Sequence, residues 1–131
     1  MLSTDGRCFV CGHDNAGGLQ LDFSFTEEGP SAETTFVPGE QYQGWPGIVH
    51  GGIIMTVLDE VMVKAAVHKG LRVVTGRINV KLKTPAKIME PLRFRGAIDT
   101  IKKSIVYASA SAAREDGAVI AEATAKLVVI D

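Results

Sequence analysis

One segment of this chain has helical periodicity, and most of what surrounds it has the periodicity of strands. Between residues 51 and 69, apolar side chains recur as Ile53/Ile54, Val57/Leu58, Val61/Met62 and Ala65/Ala66, the spacing of a 3.6-residue repeat. Met55, Val63 and Val67 widen that stripe nearly all round, which predicts a helix mostly buried and wrapped by a sheet. Gly70 supplies its stop, and His68 and Lys69 suit the last turn. Before it, Leu19, Leu21, Phe23 and Phe25 alternate with polar residues, which predicts a half-buried strand. Glu27-Glu28-Gly29-Pro30 reads as a turn leading to a hairpin partner through Ala32, Thr34 and Phe36. After it come strand-like runs at 72–84, 92–102, 104–113 and 118–130, the last two joined by the tight turn Arg114-Glu115-Asp116-Gly117. Two strands, one helix and four strands predict an α+β chain whose antiparallel sheet curls around the helix.

The 131 residues suffice for one domain. An N-terminal segment, 1–18, carries a CxxC pair, and 19–131 form the single folded domain. With 46% hydrophobic and 22% charged residues, the composition is that of a globular protein rather than a disordered one. The formal net charge is −1, so neither a nucleic acid nor a membrane surface is an expected partner. No stretch approaches the ~18 apolar residues of a membrane span, and the start lacks a signal-like apolar core. The expected location is the cytoplasm.

The chemistry-bearing residues gather at the helix. Trp45-Pro46-Gly47-Ile48-Val49-His50-Gly51-Gly52 leads into it, out of a glycine- and proline-rich loop at 37–47 long enough to suggest a functional role. A helix start offers free N–H groups and about half a positive charge, and glycines let a ligand approach the backbone. Gly51 and Gly52 are therefore candidate oxyanion donors, against the plainer reading of a tight chain turn against the sheet. Two turns on, Asp59 and Glu60 are carboxylates in an otherwise apolar helix. Glu60 has Lys64 four residues later, the favourable order for an exposed ion pair. Asp59 has no base at i+3 or i+4 and neighbours Met55, Met62 and Ala66 on the wheel. An unpaired carboxylate there is costly, so Asp59 is the candidate base or nucleophile, the alternative being a buried structural hydrogen bond.

Eight residues of helix separate Gly51 from Asp59 by about 12 Å along the axis. One aspartate side chain does not span that distance. If both act on one substrate atom they come from different copies of the chain, and two antiparallel helices related by a two-fold axis meet that requirement.

His50-Gly51-Gly52, with Asp59 nine positions after the histidine, resembles the active-site helix of the hot-dog-fold acyl-CoA thioesterases, and more narrowly the PaaI-like group. Cys8-Phe9-Val10-Cys11-Gly12 with Asn15 and Gly18-Leu19 is similar to members of that group. So are Gly44-Trp45-Pro46-Gly47, Leu58-Asp59-Glu60 and the run from Val74-Thr75 to Pro85. The resemblance covers nearly the whole chain in order. It implies a hot-dog fold, a homodimer that is often a dimer of dimers, and hydrolysis of acyl-CoA with no metal or other cofactor. On that mapping the Gly51 N–H polarises the thioester carbonyl, and Asp59 of the partner subunit activates water or attacks directly. Thr75 orients the water or the carboxylate, and His50 shapes the helix start. Gln43 stands one position from where relatives place an amide that positions substrate or water. Gly52 and Trp45 join Gln43 as substrate-binding candidates. Arg77, Lys81, Lys83 and Lys87 are candidates to meet CoA phosphates, or else lysines guarding a solvated edge.

Cys8-x-x-Cys11 with nearby His13 invites a zinc reading. Zinc takes four protein ligands, or three and a water, and a second cysteine pair is absent from the sequence. No βαβ pattern supports a redox CxxC. The expectation is two small buried cysteines in an N-terminal turn, and no metal. Lone Trp45 reads as a packing anchor or pocket wall, since no basic–aromatic pattern accompanies it. Two other functions remain open: a hot-dog acyl-thioester dehydratase or hydratase, which needs a catalytic histidine, and a non-catalytic acyl-CoA binding module.

Overall fold

In a computed structural model describing residues 2–26 and 30–130, the elements run β1 (Ser24–Thr26), β2 (Ser31–Phe36), α1 (Gly51–His68), β3 (Val73–Leu82), β4 (Leu92–Lys102), β5 (Ile105–Arg114) and β6 (Val119–Val129). The strands form one antiparallel sheet in the order β1-β2-β4-β5-β6-β3. The helix lies against one face of it, which is the hot-dog arrangement.

The seat for the helix is made of small residues. Ala108, Ala110 and Ala112 of β5 stand directly opposite Ala125, Ala123 and Ala121 of β6, and all six are buried. On β4, a Cβ at Gly96 would lie 2.7 Å from the Val61 carbonyl oxygen and 2.9 Å from the Met62 nitrogen. Helix backbone and strand backbone meet there, and only glycine permits it. Around this seat Val57, Leu58, Val61 and Met62 of α1 pack with Phe36, Leu92, Phe94, Val106, Ile120 and Leu127.

Alternation explains the later strands but overstates the first one. Only Ser24–Thr26 pair as strand; Leu19, Leu21 and Phe23 still pack against the core. The amides of Leu19 and Leu21 bond instead to the carbonyls of Phe9 and Val10, at 2.8 Å each. An alternating pattern reports one buried side, and here the irregular N-terminal segment supplies the hydrogen bonds that a sheet neighbour would. Of the expected turn, Pro30 is a turn residue; residues 27–29 lie outside the described residues.

The helix also departs from expectation. Its buried residues are Ile54, Val57, Leu58, Val61, Met62, Ala65 and Ala66, whereas Met55 and Val67 are exposed. A single layer of sheet covers one side of a cylinder, so the apolar residues beyond that side are left in solvent.

Candidate functional site

The start of α1 is held by its own preceding residue. His50 is extended (φ −60°, ψ 130°) and caps the helix: its Nδ1 accepts the Gly52 N–H at 2.9 Å. The His50 carbonyl takes the amides of Ile53 and Ile54. Of the four N–H groups that a helix start leaves over, Gly52, Ile53 and Ile54 are thereby engaged. The Gly51 N–H has no acceptor among the described residues. Helix geometry alone offered both glycines as donors and the family resemblance placed the carbonyl on Gly51; the imidazole cap occupies the Gly52 N–H.

The approach to this donor is a stapled loop. The Gln43 side-chain carbonyl accepts the Gly47 N–H at 3.0 Å, and Gly44 N–H donates to the Ile48 carbonyl at 2.9 Å. The Val49 N–H donates to Ala86 O, and Ile88 N–H to Gly47 O, tying the loop to the segment after β3. Gly44, Trp45, Ile48, Val49, His50 and Gly51 line an open cavity of about 430 Å³. Gln43, His50 and Gly52 share a second of about 350 Å³ with Gln41, Tyr42, Ile53 and Thr56. Trp45 is 80% exposed, so it is a cavity wall and anchors no packing within the chain.

Asp59 lines neither cavity. Half-buried, it accepts the Thr75 hydroxyl on Oδ1 at 2.6 Å, which corrects its description as an unpaired carboxylate. Thr75 reaches it because β3 carries a bulge between Thr75 and Arg77. Before the bulge Val73 and Thr75 face the helix; after it Ile78 and Val80 do. A bulge re-aims the side chains that flank it, and this one ends the Thr75 run beside Asp59. Gly51 and Asp59 thus belong to different parts of the chain surface, as the helix rise requires.

The basic residues do not form one cluster. Arg77, Asn79 and Lys81 stand opposite Lys126, Thr124 and Glu122 in register, on the sheet face turned away from α1. Lys81 and Lys83 line a groove there of about 610 Å³ with Arg95, Ser109, Ser111 and Glu122. Lys83 forms an ion pair with Glu122 and by hydrogen bonding holds that carboxyl below its ordinary value. Arg77 is beside Asp99, Tyr107 and Lys126, and Lys87 beside Glu90, Arg114 and Asp116. Arg95, on β4, was invisible as a groove residue because the groove runs across the sheet face from β3 over β6 and β5 to β4.

The N-terminal cysteines differ from expectation too. Cys8 is exposed and Cys11 half-buried. The expected Glu60–Lys64 ion pair does not form: the Cys8 thiol donates to Glu60 Oε2 at 3.4 Å, and the Lys64 ammonium lies over the Phe23 ring. Burial pushes the Cys11 thiol up to about 11, opposed by a hydrogen bond from Lys64 and reinforced by Glu60 and Cys8. His13 is drawn away to Asp22 at 2.7 Å.

No helix among the described residues is long and apolar enough to cross a membrane. The fold superposes on a thioesterase superfamily protein, RHA08564, with a TM-score of 0.87 and 26% identity over 95% of this chain. The chain spans 60% of that protein's length. The PaaI protein of the E. coli phenylacetic acid degradation operon matches with a TM-score of 0.80 and 18% identity, covering 86% of this chain and 81% of the other. A hypothetical thioesterase of Streptococcus pneumoniae TIGR4, solved with coenzyme A, gives 0.77 and 16%, covering 83% and 86%. Residues 46–121, the span that holds the capped helix start, Asp59 and Thr75, match the thioesterase superfamily, and the chain belongs to that family.

Proposed function

We propose that this chain hydrolyses acyl-CoA thioesters at centres each assembled from two copies. The observation that carries the reading is how α1 and β3 lie side by side. A Cβ on Gly51 would touch Leu82 Cδ1 at 2.9 Å, near the end of β3, while Asp59 bonds Thr75 near its start. β3 is a ten-residue strand at the sheet edge, and a long open edge invites a further strand. Two copies joined antiparallel along β3 about a two-fold axis set the Leu82 end of one against the Thr75 end of the other. Gly51 then faces Asp59 of the partner subunit. Met55, one turn before Asp59, is 40% exposed, and Val74 and Leu82 on β3 are 42% and 47% exposed; such a joint gives these apolar side chains cover.

The chemistry follows from the groups brought together. The thioester carbonyl oxygen binds at the Gly51 N–H, where charge developing on it is stabilised. Thr75 fixes one oxygen of Asp59, leaving the other to take a proton from water or to attack the carbonyl carbon itself. With water as the attacker, hydroxide adds to the carbonyl, the C–S bond breaks, and the CoA thiolate recovers the proton held by Asp59. With Asp59 as the attacker, C–S cleavage leaves an acyl–Asp59 anhydride that water then hydrolyses to the free acid, its proton passing to the thiolate. Trp45 borders one of the two cavities at the helix start and Gln43 and Gly52 the other, with His50 between them, and the acyl group is placed in this region. Lys81 and Lys83 flank Leu82 and lie at the end of β3 nearest Gly51, where CoA phosphates are within reach of flexible lysines. A dehydratase pairs its catalytic histidine with an acidic residue, and among the described residues no carboxylate bonds His50, whose Nδ1 serves the helix cap. Two such dimers stacked into a tetramer would follow the pattern of the family.

The test is a panel of aliphatic and aromatic acyl-CoA substrates, with free CoA measured for wild type and Asp59→Asn. Release by wild type and its loss in the variant support hydrolysis. Tight binding of acyl-CoA without turnover across the panel would make the chain a binding module.

A further inference from the structure

Beyond the hydrolytic site, the described residues hold a second group of side chains whose composition is that of a metal site. Cys8 Sγ, Cys11 Sγ and a carboxylate oxygen of Glu60 all lie within 4.8 Å of one another. Ligands about 2.3 Å from a zinc ion stand about 3.8 Å apart at the corners of a tetrahedron, so a small adjustment suffices to close them on one ion. We propose that Cys8, Cys11 and Glu60 bind a zinc-like divalent cation that clamps the N-terminal segment to α1.

The backbone around the cysteines is shaped for the task. The Val10 N–H donates to Cys8 Sγ at 3.4 Å, a contact that stabilises charge on that sulfur once it ligates. The Gly12 N–H donates to the Cys8 carbonyl at 2.9 Å, folding the CxxC back on itself. A Cβ at Gly12 would lie 2.4 Å from the Cys8 nitrogen and 2.5 Å from the Gly6 carbonyl oxygen, so the turn admits glycine alone. Val10, between the cysteines, is buried and anchors the turn.

Charge balance favours a dication. Two thiolates and a carboxylate carry three negative charges; a divalent ion cancels two, and the Lys64 ammonium, whose charge is favoured by Cys11, Glu60 and Cys8, cancels the third. Binding displaces both thiol protons, as thiolate ligation requires. The fourth corner falls to water, because His13 is held by Asp22. The third ligand is 52 residues from Cys8, which is why the CxxC alone looks incomplete. The ion sits on the flank of α1 away from Thr75, so its role is to hold the chain together and not to act on the thioester.

The experiment uses the full chain, reduced and stripped with chelator, then titrated with Co²⁺ and displaced with Zn²⁺. Expected are tetrahedral cobalt bands with thiolate-to-metal charge transfer, a single ion per chain, and protection of both thiols from alkylation by zinc. Cys8→Ser and Cys11→Ser weaken the charge-transfer band and end the protection. Glu60→Gln keeps the thiolate signature but loosens the ion by at least about 10-fold, with acyl-CoA turnover unchanged. Circular dichroism of each variant establishes that it is folded. An octahedral cobalt spectrum without charge transfer overturns the proposal. So does a Cys8–Cys11 disulfide in metal-free protein that zinc fails to prevent.

Discussion

Asp59 and Glu60 are neighbours in sequence, both half-buried, yet α1 delivers them to opposite edges of the sheet. Asp59 meets Thr75 on β3 at one edge. Glu60 meets Cys8 in the segment preceding β1 at the other. One step of about 100° around the helix separates a carboxylate steadied by a hydroxyl from one set among thiols and an ammonium. A hydroxyl partner orients a carboxylate and leaves an oxygen available for reaction. Thiols beside a carboxylate form a set of donors for a cation. What the pair teaches is that the role of an acidic residue is set by the strand or loop it faces.

The largest expected effect breaks the Asp59 side alone. Asp59→Asn should lower acyl-CoA turnover by about 10²–10⁴-fold, the range for removing a positioned base, and leave cobalt binding at the cysteines intact. Gly51→Pro comes next. Proline is tolerated at the first helical position, and the extended His50 before it suits a following proline. That variant deletes the N–H and should cost about 10²–10³-fold in kcat. Gly51→Ala adds a Cβ against Leu82 but keeps the donor, so it should retain much more activity. Thr75→Val should cost about 10- to 100-fold, the worth of a hydrogen bond to a charged group, with little change in KM. Cys8→Ser should leave turnover within about two-fold, as surface changes away from a site do. Steady-state kinetics across the five variants, with melting curves, separates the two flanks.

Much of this was legible in the sequence because local rules carried it. The 3.6 repeat located α1, Gly70 its end (φ +92°), and alternation the four later strands within a residue or two. His50-Gly51-Gly52 and Asp59 marked the helix as the place for chemistry, and its rise of about 1.5 Å per residue already separated Gly51 from Asp59. What was not legible depended on contacts between distant segments. The Thr75–Asp59 bond needs the β3 bulge, and the Cys8–Glu60 contact needs the N-terminal turn to fold against α1. The short β1 was overread because Leu19, Leu21 and Phe23 bury one side without joining a ladder. That the Gly52 N–H is taken up by the cap depends on the rotamer of one imidazole.

The central claim is that Gly51 and Asp59 act across two copies, and mixing two inactive variants tests it most directly. Asp59→Asn and Gly51→Pro, each nearly inactive alone, are unfolded and refolded together so that heterodimers form, as native mass spectrometry would verify. Each heterodimer then contains one intact centre, with Gly51 from one chain and Asp59 from the other. Statistical mixing should therefore restore about a quarter of the wild-type rate. Heterodimers that form in full yet recover no activity would contradict the account, as would a wild-type monomer that still cleaves acyl-CoA.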